Sequence, residues 1–238
     1  MAERILYVPQ RQGERLVEEV TITFPWQGWQ TPAEKRANVR VLHEKAQALG
    51  ISRVLDISTK SLHPLGQRLS PFNLSCEVQT PQGNIRTSYE SLWNGSKVLE
   101  KGGPFPDLFH LPPWESLKDP RHWRRVNGPL IGARLEGKTY EPLSGYDFLY
   151  ISAAFPILTP QDWMQLSTYG GFTEVTLNPE HSPTCQAGSV ALMVALKQRG
   201  VLERALESYE VFKATVTQLD TARYAPPEPA PGAQLALF

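Results

Sequence analysis

Residues 68–97 read RLSPFNLSCEVQTPQGNIRTSYESLWNGSK, and this stretch decides what kind of fold the chain builds. Its first six residues close a polar loop. A hairpin is expected next, with strands over 77–79 and 85–87 around Thr80-Pro81-Gln82-Gly83-Asn84, residues that favour turns. A helix over 88–100 follows, stopped by Gly102-Gly103. On it Glu90 and Lys97 are seven residues apart, on one face and about 10.5 Å apart along the axis. An ordinary helix ion pair needs a spacing of three or four. Trp93 and Asn94 lie on the stripe between them. The face is polar where a buried helix would be apolar, so it is either a solvated surface with an incidental tryptophan or a site.

Upstream, Thr31 caps a helix over 32–49, with Pro32 in the first turn, Glu34 completing a capping box and Gly50 as the stop. A strand over 53–57 and a Pro- and Gly-punctuated loop over 58–73 come next. Downstream, 104–120 holds five prolines and reads as an irregular packed connection. A buried strand is expected over 147–153 and a short helix from Thr159-Pro160 to 168. A strand over 172–177, a helix from Ser182-Pro183 to about 199 and an amphipathic helix over 202–219 complete the order. Strands and helices do not alternate, so the class is α+β: a mostly helical single domain with a small β-sheet. The domain is expected over 1–222, with 1–23 as an N-terminal extension. PPEPAPGAQ after Ala225 cannot pack a core, so 223–238 is expected as a flexible tail.

The 238 residues carry 24 basic and 24 acidic side chains and a pI near 7.0, which excludes a bulk electrostatic binder of nucleic acid. Cys76 and Cys185 are too few for a disulfide framework or a four-thiolate zinc site. The start lacks a signal-peptide core and no apolar run spans a bilayer, so a cytoplasmic chain with no membrane partner is expected. Dinucleotide, P-loop, zinc-protease and serine-hydrolase signatures are missing. The histidines at 43, 63, 110, 122 and 181 have no metal-ligand spacing, and His181 with Cys185 four residues on is too little for a site; neither metal nor cofactor is expected.

The order of Arg68-Leu69-Ser70-Pro71-Phe72-Asn73, the hairpin, then Thr87-Ser88-Tyr89-Glu90 with Lys97 seven residues later resembles the NADAR family (YbiA-like fold). Pro71 stands where that family commonly has Asn. Phe24-Pro25-Trp26, Asp56-Ile57-Ser58-Thr59-Lys60-Ser61, Leu65-Gly66, Tyr146-Asp147-Phe148-Leu149-Tyr150-Ile151 and Cys185-Gln186-Ala187 look like the branch of antitoxins to DarT-type DNA ADP-ribosyltransferases. The resemblance spans roughly 24–219.

It implies removal of ADP-ribose from guanine, with ADP-ribosylated DNA or RNA as substrate and the DarT-type toxin as functional partner. Cleaving an N-glycosidic bond requires a nucleophile at the anomeric carbon and a proton for the base. Lys97 is the expected nucleophile, through a Schiff base, and Glu90 the proton shuttle. Asp147 is the third polar candidate, or else a residue capping local backbone. Phe72 and Trp93 are candidates to stack on a base, or to be core. Lys60, Ser61 and Arg68 are the phosphate candidates, with Ser70, Asn73 and Asn94 among the substrate-binding set. Arg121, Trp123, Arg124 and Arg125 interleave base and aromatic, as a DNA contact or a solvated face.

Gln234, Leu235, Leu237 and Phe238 resemble the pentapeptide that binds the bacterial sliding clamp; the other reading is docking on the chain's own domain. Two rival functions remain at this level, a non-catalytic binder of ADP-ribose or a related nucleotide and an antitoxin that occludes its toxin.

Overall fold

The computed structural model describes residues 1–28, 31–81, 83–176 and 184–225. The clamp-like residues, His181 and the Ser182-Pro183 pair lie outside them. Strands β1 (Ala2–Pro9) and β2 (Val17–Phe24) pair from Ala2↔Phe24 to Pro9↔Val17, so residues 1–23 are a hairpin of the main sheet rather than an appendage. Helix α1 (Pro32–Ala48) opens on the expected capping box of Thr31 and Glu34. After β3 (Val54–Asp56), the expected loop contains a short helix, α2 (Pro64–Arg68), capped by the His63 side chain.

The hairpin of β4 (Ser75–Thr80) and β5 (Gly83–Ser88) is longer than expected, and leads into α3 (Tyr89–Ser96). That helix ends four residues before the expected boundary, because residues 97–99 become β6 (Lys97–Leu99). The 104–120 connection is also more regular than its prolines suggest, with a 3-10 turn (Pro106–His110) and α4 (Pro113–Leu117). Helix α5 (Arg124–Asn127) precedes β7 (Leu130–Leu135) and β8 (Lys138–Tyr140), which are not among the expected strands.

Where a strand is expected over 147–153 stands helix α6 (Pro142–Ala154). A short apolar run reads equally as a strand or a buried helix, and here Pro142 in the first turn starts a helix. α7 (Pro160–Leu166), β9 (Gly171–Thr173) and α8 (Gln186–Gln198) follow. The helix expected over 202–219 is two, α9 (Leu202–Ala205) and α10 (Tyr209–Leu219), because the Ser208 hydroxyl accepts from Val211 N and starts a new helix.

The main sheet runs β2-β1-β9-β3, parallel only between β9 and β3. Successive side chains of a strand face opposite ways, and both faces are buried here. Leu6 and Val54 join Val39, Leu42 and Ala46 of α1, while Tyr7, Leu55 and Phe172 join α8 in the larger core. Helix α8 is buried on every side from Gln186 to Leu196, as a central helix must be. A second sheet, β6-β7-β8, and the β4-β5 hairpin flank α3. Among the described residues no helix is long and apolar enough to cross a membrane.

Gly66 lets the 58–61 loop lie against α2, since a Cβ there would overlap the Asp56 carbonyl oxygen and Ser61 Oγ. Both partners are buried and fixed. Gly66→Ala is therefore expected to lower unfolding free energy by about 1–3 kcal/mol, as overpacking does. A denaturant midpoint equal to that of the parent would show that the loop yields without loss.

Candidate functional site

Helix α3 is tied at its start to the polar loop before the hairpin. Tyr89 N donates to Leu74 O (2.7 Å) and Glu90 N to Pro71 O (3.0 Å), while Ser88 Oγ caps Ser91 N at 3.1 Å. These bonds set Glu90 beside Ser70, Pro71 and Phe72. At the other end, Phe105 N takes the Gly95 carbonyl (2.7 Å), and Phe109 lies where a Cβ on residue 95 would be. The chain leaves the helix there and Lys97 pairs with Ala133 of β7.

Glu90 and Lys97 then meet through Asn94. Asn94 Nδ2 donates to Glu90 Oε1 at 2.9 Å, and Lys97 Nζ donates to Asn94 Oδ1 at 2.6 Å. Spacings of four and three place each pair within reach, where the direct spacing of seven does not. Asn94 is wholly buried, and its amide also donates to Ser116 Oγ (3.3 Å). Behind it, His122 Nε2 lies 3.0 Å from Asn94 O; burial and the nearby Lys97 charge push this imidazole down to about 4, so it is neutral.

Both ends of this relay face a cavity of about 710 Å³ that Ser58, Lys60, Ser70, Phe72, Trp93 and Tyr146 also line. Trp93 packs edge-on against Tyr146, with ring centroids 5.0 Å apart. Burial raises the Glu90 carboxyl and lowers the Lys97 ammonium, and each is partly offset by the other's charge. A carboxyl inclined to hold its proton thus stands near an amine inclined to release one. Those are the states that an acid and a nucleophile need.

A buried acidic pair, Asp56 and Glu174, stands at the cavity through Glu174. Asp56 accepts from Val175 N (3.0 Å) and Ser58 Oγ (2.5 Å). Glu174 accepts from Thr176 N (2.8 Å), the Thr176 hydroxyl and Gln186 Nε2; Gln186 also donates to Ile57 O (3.0 Å). Glu174, Thr176 and Gln186 line the cavity. Burial, and then the charge of Asp56, push Glu174 up to about 8. Asp56–Ser61 and Cys185–Ala187 stand out in the sequence, but Glu174 follows a strand with no local cue.

Of the expected site residues, Lys60, Ser70, Phe72, Glu90, Trp93 and Lys97 line the cavity, and Asn94 joins two of them from behind. Ser61 is buried under the loop, its Oγ accepting from His63 N. Arg68 pairs with Asp162 at 2.5 Å, and Asn73 donates to Gln67 O and borders a neighbouring groove. Asp147 is not brought to the cavity. It lies in a helix, not at a strand mouth, and accepts from Ser189 Oγ (2.6 Å), Arg223 Nη2 (3.0 Å) and Tyr224 OH (3.0 Å), which tie α8 and residues 223–224 to α6.

Arg121 is held by Asp107 (2.6 Å) and Asp119 (2.8 Å), whereas Trp123, Arg124 and Arg125 are exposed, the last with its guanidinium over the Trp123 ring. Among the described residues no group of three or more His, Cys, Asp or Glu side chains is placed to hold a metal ion.

Residues 2–226 match the family model described as DarT1-associated NADAR antitoxin. No curated protein matches the chain in a sequence search.

The buried Glu174 gives a measurable pH dependence. An unfolded glutamate releases its proton near pH 4.5, the folded one only at about 8, so folding takes up a proton between these values. Stability therefore falls as pH rises through that window and levels off above it. Glu174→Gln is expected to flatten the decline, seen as a parent-minus-variant thermal midpoint that shrinks from pH 5 to pH 8. A difference constant across the window would mean that the folded Glu174 is already ionised.

Proposed function

The chain belongs to the DarT1-associated NADAR antitoxin family, and we propose that it acts there as a glycohydrolase removing ADP-ribose from guanine in DNA. The observation that carries this reading is the Asn94-bridged pair of Glu90 and Lys97 on the wall of a cavity roomy enough for a nucleotide. A pocket that only bound ADP-ribose would have no use for an amine and a carboxyl both desolvated toward their neutral forms.

In this mechanism neutral Lys97 attacks the anomeric carbon of the guanine-linked ribose. The carbon–nitrogen bond to guanine breaks, and the carboxyl of Glu90 gives the leaving nitrogen its proton. The bond from the anomeric carbon to the ring oxygen then breaks as that oxygen takes a proton from the lysine nitrogen, which leaves the lysine as a protonated Schiff base to the ring-opened ribose. Glu90, now a carboxylate, takes a proton from water as it adds to the imine carbon. Collapse of that adduct frees ADP-ribose and restores the amine, with no change in oxidation state. Asn94 positions both groups without reacting. Lys60 and Ser58 offer phosphate contacts, and Phe72 and Trp93 ring contacts, along the cavity lining. Asp147 has no step here.

Two variants test the assignment. Lys97→Ala is expected to keep the fold and lose release of ADP-ribose from modified DNA, and borohydride to trap the parent, but not the variant, as a covalent ADP-ribosyl adduct. A folded Lys97→Ala with full turnover refutes the Schiff base. Glu90→Gln is expected to bind modified DNA like the parent while kcat falls about 10²–10⁴-fold, the usual contribution of a positioned acid. Equal losses of binding and turnover would assign Glu90 to holding the helix face instead.

A further inference from the structure

A groove of about 470 Å³ lies against the cavity, and the Phe72 ring is the wall they share. Its other sides come from Ser75, Arg86 and Ser88 of the hairpin and from Phe109 and Pro112 across from it. Ser88 precedes Glu90 by two residues, roughly 3 Å along the helix axis. A strand leaving a base held at Glu90 and Lys97 therefore reaches this groove within one or two nucleotides.

The chemistry of the groove suits such a strand. Arg86 is exposed, and its Nε donates to Ser75 Oγ at 2.6 Å, which aims the guanidinium. Glu77 is opposite Arg86 in the strand register, but among the described residues no carboxylate forms an ion pair with it. Arg121, the first basic residue of the 121–125 cluster, is by contrast already neutralised by two aspartates. The two outer nitrogens of Arg86 present a fork that matches a phosphate in bidentate fashion. Ser75 Oγ, having accepted from Nε, keeps its own proton for the same anion. The half-buried Phe72 offers a ring face for a base.

We propose that this groove holds the single-stranded DNA flanking the modified guanine, with a phosphodiester on Arg86 and Ser75 and a base against Phe72. The proposal rests on the glycohydrolase reading for its substrate, but not for its test.

Turnover is compared on two substrates, an ADP-ribosylated guanine mononucleotide and the same base within a short single-stranded oligonucleotide. Arg86→Ala and Arg86→Glu are expected to lower kcat/KM on the oligonucleotide about tenfold, through KM, and to leave the mononucleotide at the parent's rate. Arg86→Lys, which keeps the charge, is expected to recover most of the loss. An equal change on both substrates, or none on either, overturns the proposal.

If the parent turns over neither substrate, the glycohydrolase reading fails and binding decides the groove. The parent should bind an unmodified single-stranded oligonucleotide in fluorescence anisotropy. Arg86→Ala should bind it about tenfold more weakly, with the slope of log affinity on log salt smaller by about one. Parent and variant binding alike, or a variant that loses the toxin while keeping DNA, overturns the groove as a DNA site.

Discussion

Asn94 is wholly buried, and a buried amide must place its donors and its acceptor on neighbours or lose about 1–3 kcal/mol for each group left unpaired. Three partners satisfy it: Glu90, Lys97 and Ser116. That requirement organises much of the region. It needs the Ser116 segment to lie against the helix. The end of α3 depends in turn on Gly95, because only a residue without a side chain lets Phe109 close over it. The prolines of 104–120 bring that ring and Ser116 into place.

The two ionisable pairs on the cavity walls obey one physical rule with different outcomes. Glu90 and Lys97 carry opposite charges, so each tempers the desolvation of the other, and burial still moves both toward neutrality. Glu174 and Asp56 would carry like charges, so burial and repulsion act together on Glu174 and push its carboxyl up to about 8. Gln186 connects this second pair to α8, the helix at the centre of the larger core.

Asp147 shows how the same principles build a joint rather than a reactive group. A buried carboxyl group with Arg223, Tyr224 and Ser189 around it is fully paired, and its partners come from residues 223–224 and from α8. Tyr146 beside it borders both this joint and the main cavity. Arg223 and Tyr224 are thus joined to the neighbour of a residue that lines the site.

Much of this was legible in the residues themselves. The Thr31 and Glu34 box fixed the start of α1, Pro81 and Gly83 marked the hairpin, and Thr159-Pro160 opened α7, because caps and turns are made by neighbours in the chain. The face shared by Glu90, Trp93, Asn94 and Lys97 was legible for the same reason, since helical spacing is local. The strand expected over 147–153 failed because five apolar residues do not distinguish a strand from a helix buried on all sides; packing among Tyr89, Tyr146 and Tyr150 chose the helix. The pairing of β6 with β7 was unreadable because it joins residues as distant in the chain as Lys97 and Ala133, whereas β7 and β8 form a short local hairpin around Glu136-Gly137 whose few residues carry little strand pattern. Sequence thus determined the caps, the hairpin and the polar face of α3, all set by bonds between near neighbours. Only the tertiary structure decided where α3 stops, that Glu174 lines one cavity with Lys97 and that Asp147 does not, because each depends on which distant segments bury which side chains.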